Sequence, residues 1–162
     1  MPFHLFAAGA TNGDRPFAGL IQGTDGNFYG TTQFGGSAGV GTVFRISPGG
    51  AYTNLYSFAG TFTFDGWQPM GRLVQGSDGN FYGTTSTKGT NGCSCGTVFR
   101  ISPNGSNYTT LHYFASGAND GNSPSSGLVR GNDGNFFGTA GAGAHGAGVV
   151  FRISPDGSYT NI

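Results

Sequence analysis

The run DGNFYGTT occupies residues 25–32 and again 78–85, and DGNFFGTA occupies 133–140. The surrounding sequence repeats with it. GTVFRISP at 41–48 returns at 96–103 and, as GVVFRISP, at 148–155. PFAGLIQG at 16–23 matches PMGRLVQG at 69–76 and PSSGLVRG at 124–131, and YTNLYSFA at 52–59 matches YTTLHYFA at 108–115. A unit of roughly fifty residues met three times restricts the chain to an array, a solenoid or a propeller.

Each unit holds four strand-like runs. The first is of the GLIQG type and follows a Pro. An Asp-Gly turn then leads into NFYGTT, because Asp-Gly and Gly-Asn pairs accept positive φ at little cost. After a Gly-rich loop comes GTVFRIS, in which Thr42, Phe44 and Ile46 point one way and Val43, Arg45 and Ser47 the other. A Pro- and Gly-containing turn leads to the fourth run, YTNLYSF. Four antiparallel strands in a unit of this size fit one β-propeller blade. Composition agrees. The chain has 33 Gly, only 9% charged residues, no Glu and a single Lys, which argues against helix. Its 15 Phe, 7 Tyr and one Trp fall at regular places, unlike the aromatic-poor sequences of disordered chains. The expectation is an all-β fold.

The order P-x-x-G-L, D-G-N-F-[YF]-G-T, G-T-V-F-R-I-S-P and L-Y-S-F resembles the GloVer-type tandem repeat of bacterial choice-of-anchor proteins. The DGNFYG and ISPDG elements are also similar to NHL-type propeller blades. The resemblance covers nearly the whole chain in three copies. It implies a propeller-like fold, an extracellular or cell-surface location and no assigned enzymatic activity.

One segment, 1–162, is therefore expected to carry three blades, with repeats at about 4–55, 56–111 and 112–162. One sheet cannot cover both of its own faces, so each blade needs a neighbour. Phe28, Phe81 and Phe136, with Phe44, Phe99 and Phe151, are expected to fill the layers between blades. Burial of each is worth about 1.5–3 kcal/mol. Closed propellers need about four to eight blades, so three leave raw flanks. Ile162 matches Leu55 and Leu111, and His4 matches Tyr56 and His112, so the outer strand is expected to be split between the termini. The expected partner is the chain itself. A dimer of six blades is preferred, and a trimer of nine or an open filament are the alternatives.

Chemistry is sparse. Asp25, Asp78 and Asp133 recur in the turns, and Arg45, Arg100 and Arg152 recur in mid-strand. Residues found in every blade are expected to build the blade, with Asp accepting backbone N–H bonds. A calcium loop would cluster several oxygen ligands, and none is seen. Cys93 and Cys95 form a C-x-C without a second ligand pair, so no zinc site is expected, and the thiols are either free or bonded to each other. No G-x-S-x-G elbow, carboxylate couple or phosphate loop stands out, and His145 lies alone in a Gly-rich loop. The expectation is no enzyme, no cofactor and no metal. Zero net charge with evenly spread Arg invites no nucleic acid, and no apolar run approaches a membrane span. The start, MPFHLFAAGA, does not read as a signal peptide.

Departures from the repeat offer the best binding candidates. The connector TFTFDGWQPM in the second unit adds Phe62, Phe64, Trp67 and Met70. An exposed Trp67 beside Phe64, Asp65, Gln68 and Arg72 would stack on a sugar ring with hydrogen bonds around it, so glycans are the alternative partner. Packing of Trp67 and Phe64 over the blade below is the competing expectation.

Overall fold

A computed structural model describes residues 4–9, 11–60, 63–89, 93–115, 120–141 and 147–162. Phe62 and His145 lie outside the described residues. Twelve strands and no helix are present among the described residues. The first blade is β1 (Ile21–Gln22), β2 (Phe28–Thr32), β3 (Thr42–Ile46) and β4 (Tyr52–Ser57). The second is β5 (Val74–Gln75), β6 (Phe81–Thr85), β7 (Thr97–Ile101) and β8 (Tyr108–Tyr113). The third is β9 (Val129–Arg130), β10 (Phe136–Ala140), β11 (Val149–Ile153) and β12 (Tyr159–Asn161). Each sheet is antiparallel with its strands in chain order. The expected first run, GLIQG, contributes only a two-residue strand, because the Pro-led connector still runs irregularly before it.

Register explains the repeated motif. Phe28 pairs with Ile46 and Gly30 with Phe44, and the same pairs recur as Phe81 with Ile101 and Gly83 with Phe99. The glycine of each FYG or FFG run lies under a cross-strand phenylalanine. A Cβ at Gly83 would stand 2.6 Å from Cζ of Phe99 and 2.8 Å from Cδ2 of Leu73, so only glycine lets that ring lie flat over β6. In β4 and β8 a register shift skips one residue opposite Val43/Phe44 and Val98/Phe99. Such a bulge bends the strand and sharpens its twist.

The core is two inter-blade layers. Between the first and second blades lie Tyr29, Val43 and Phe58 against Leu73, Phe81, Phe99 and Ile101. Between the second and third lie Tyr82, Val98 and Phe114 against Leu128, Phe136, Phe151 and Ile153. The two layers are close copies. Tyr29 stacks on Phe81 with centroids 4.0 Å apart, and Tyr82 stacks on Phe136 at the same 4.0 Å. Tyr56 stacks on Tyr108 at 4.0 Å, and His112 on Tyr159 at 3.8 Å.

Candidate functional site

The repeated aspartates serve the turns. Asp25 accepts bonds from the Asn27 backbone and side-chain amides at 3.1 and 2.8 Å and from the Tyr29 hydroxyl at 2.7 Å. Asp78 does the same with Asn80 and Tyr82. Among the described residues Asp133 accepts hydrogen bonds from Asn135 alone, because Phe137 replaces the tyrosine. Burial pushes the Asp25 and Asp78 carboxyls up, but these donors outweigh it and hold both below the ordinary carboxylate value. Burial, then the bonds to Asp25 and Asp78, pushes Tyr29 and Tyr82 up to about 12.

The connectors between blades carry a second repeated device. Asp65 is 5% exposed, and its carboxylate accepts the Tyr56 hydroxyl at 2.7 Å, the Ala59 amide at 2.8 Å and the Thr63 hydroxyl at 2.9 Å. Its backbone carbonyl accepts the Tyr108 hydroxyl at 2.7 Å. Asp65 thus ties the outer strand of one blade to that of the next. Asp120 takes the same place toward His112, at 3.1 Å, and the Ala115 amide, at 3.0 Å. Asn12 takes it toward His4, at 3.1 Å, and its carbonyl accepts the Tyr52 hydroxyl. Asp65 therefore has no carboxylate oxygen turned to a ligand at the surface. The clamp depends on two distant strands and is not visible locally in the sequence.

Trp67 is half-buried. Its backbone pairs with Thr87, and the Lys88 ammonium sits 4.9 Å from its ring centroid. Its indole N–H is buried without a partner in the described structure. Phe64 is exposed. The residue before each connector proline, Arg15, Gln68 or Ser123, holds a positive φ of 55, 57 or 48°. At Gln68 this aims the backbone N–H at the Val40 carbonyl of the first blade, 2.9 Å away. Arg72 stands apart, where its Nε donates to the Leu20 carbonyl at 3.2 Å. No hydrogen bond among the described residues gathers Trp67, Gln68 and Arg72 into one set. Cys93 and Cys95 form a disulfide in the same blade. No cluster of three metal-capable side chains occurs among the described residues.

The flanks are the other candidate site. Val43 and Val98 are 0% exposed in the inner layers, whereas their equivalent Val150 is 46% exposed. Val129, equivalent to Ile21 and Val74, is 67% exposed. Phe137, equivalent to the buried Tyr29 and Tyr82, is half-buried beside them. On the opposite flank Leu20, Phe28, Ile46 and Pro48 line an apolar hollow of about 240 Å³. Phe28 is half-buried there, whereas Phe81 and Phe136 are fully covered. Phe44, at 2% exposed, is covered by Phe6.

Similarity to known proteins follows the same outline. The profile described as the Gloeobacter/Verrucomicrobia repeat matches residues 3–162. No curated protein sequence matches the chain. Among solved structures it is similar to a candidate gluconolactonase, with 17% identity over 89% of this chain and 47% of that one, TM-score 0.57. It is also similar to a chain of the nidogen/laminin complex, with 15% identity over 90% and 47%, TM-score 0.60. An ulvan lyase bound to its saccharide gives 13% identity over 96% and 40%, TM-score 0.59. These are β-propellers, and the likeness is one of fold. The chain spans about half the length of the structures it matches.

Proposed function

The chain belongs to the Gloeobacter/Verrucomicrobia repeat family, and from that premise we propose that it is a non-enzymatic β-propeller module that assembles with copies of itself. Blade-to-blade contacts and shared outer strands would join the copies, and the assembly would act as a structural or interaction scaffold. One observation carries this reading: the third blade leaves Val150 exposed and Phe137 half-covered where both inner layers bury the equivalent side chains outright, and it leaves Val129 exposed where they half-cover Ile21 and Val74. An apolar flank built to the pattern of an internal interface fits another blade. The non-enzymatic part of the proposal is supported by how the repeated polar groups are used. Asp25, Asp78 and Asp133 hold turns, while Asp65 and Asp120 clamp connectors.

We assign the module to the outside of the cell. The family resemblance supports this, and so does the Cys93–Cys95 disulfide, which suits an oxidising compartment. The test of assembly is Val150→Asp. A charge at that flank is expected to lower the molar mass in solution to that of one chain while leaving the circular dichroism spectrum unchanged. A variant that keeps the parent's multi-chain mass would oppose the reading.

Glycan binding at the connectors is a second reading, favoured by the unpaired Trp67 indole N–H and by the exposed Phe64 of the same connector. Trp67 is the single tryptophan, so its fluorescence reports on this site alone. A saturable change on titration with simple sugars would support it, and a flat trace would remove it.

A further inference from the structure

We propose that the cover of the third blade is the first blade of a second copy, that two copies close one six-bladed ring, and that His4–Phe6 of each copy continues β12 of the other. This rests on the self-assembly reading above and adds the occupant, the register and the number of copies. His4 stacks on Tyr52 at 4.0 Å and 8°, as Tyr56 stacks on Tyr108 at 4.0 Å and 4° and His112 on Tyr159 at 3.8 Å and 2°. Phe6 meets Phe44 at 5.1 Å and stands edge-on to Tyr52 at 79°. Phe58 meets Phe99 at 5.6 Å and stands at 90° to Tyr108, and Phe114 meets Phe151 at 5.4 Å and stands at 89° to Tyr159. The bond between His4 and Asn12 reproduces the one between His112 and Asp120. Residues 4–6 therefore sit on the first blade in the place of a preceding blade's outer strand, while forming no strand pair of their own.

The third blade offers the matching half. The register of β12, Phe151 with Asn161, repeats Phe99 with Thr110, and Ile162 donates its N–H to Val150. The next paired positions in the second blade are Val98 with His112 and Thr97 with Tyr113, after which Phe114 donates to the Gly96 carbonyl at 3.1 Å. Transferred to the junction, Val150 pairs with the partner's His4 and Val149 with the partner's Leu5. Phe6 of the partner subunit then donates to Gly148, and Phe137 stacks on the partner's Phe28. Val150, at 46% exposed, becomes covered as its equivalent Val98 is in the second blade. The strand-completing segment is already seated on its own blade, so joining a second copy orders little new chain. Two copies give six blades, within the usual range of about four to eight, and the matched propellers are about twice this chain's length. A head-to-tail contact related by a half-turn closes on itself.

Disulfide trapping tests this. Antiparallel neighbours stand about 4.5–5.5 Å apart at Cα, within reach of a disulfide. The full chain carrying Leu5→Cys and Val149→Cys is expected to give, on oxidation, a covalent two-chain species in non-reducing electrophoresis. Neither single variant should do so, whereas a mixture of the two should. A two-chain mass without cross-linking would overturn the strand continuation and leave self-assembly standing. A ladder of three or more chains would overturn the two-copy ring. A single-chain mass at every concentration would overturn both readings. Phe137→Asp, on the flank away from residues 4–6, gives a second check through molar mass and circular dichroism. It is expected to yield a folded single chain, and a folded two-chain Phe137→Asp variant would contradict the junction.

Discussion

At the scale of the residue, one carboxylate organises each first turn. Asp78 receives three hydrogen bonds, one of them from the hydroxyl of Tyr82, whose ring is wholly buried between blades. Asp78→Ala leaves that hydroxyl without its acceptor and should lower the unfolding free energy by about 1–2 kcal/mol in urea titrations. Asp133→Ala should cost less, because Phe137 has no hydroxyl to orphan. The same groups set the pH response. Asp25, Asp78 and Asp133 are held below their ordinary value in the fold. The unfolded chain therefore takes up their protons first as the pH falls. Their contribution is complete above about pH 4 and is lost as the pH drops through the lower folded values. Tyr29, Tyr52 and Tyr82 are pushed up to about 12. Their contribution is complete below about pH 10 and is lost as the pH rises from there through the folded value. A pH series of urea midpoints should decline at both ends, and a profile flat from pH 3 to 12 would contradict this. The turn role of the aspartates was legible in sequence because it is local. The bond to the tyrosine, and the use of Asp65 as a clamp on Tyr56 and Ala59, depend on strands placed by the fold.

At the scale of the element, β6 and β7 hold together through a glycine. Gly83→Ala would drive a methyl group into the Phe99 ring, which is fixed between blades and cannot swing away. The expected cost is about 1–3 kcal/mol, measured as a fall in urea midpoint with unchanged slope. The four strands per unit could be read from alternation and turn residues, since both are local in sequence. The short β1, β5 and β9 and the bulges opposite Val43/Phe44 and Val98/Phe99 could not. They arise where the connector or the next blade pulls the chain out of ideal pairing. The reading of Trp67 illustrates the same limit. Its aromatic surface was visible in sequence, but the Lys88 ammonium over its ring depends on a loop twenty-one residues away.

At the scale of the whole molecule, the blades are equivalent in sequence and unequal in exposure. Two interfaces are complete, and the flanks repeat their two halves at Phe28, Leu20 and Ile46 on one side and Phe137, Val150 and Val129 on the other. The match of His4 to Tyr56 and His112 was legible in sequence. The seating of residues 4–6 on the first blade was not, because it rests on ring geometry. In the proposed assembly these flanks meet between copies. Sedimentation equilibrium of the unmodified chain across a dilution series tests it most directly. A discrete species of two 16.5 kDa chains that dissociates only at high dilution is expected. A compact species of one chain at every concentration, with its apolar flanks left in water, would contradict it.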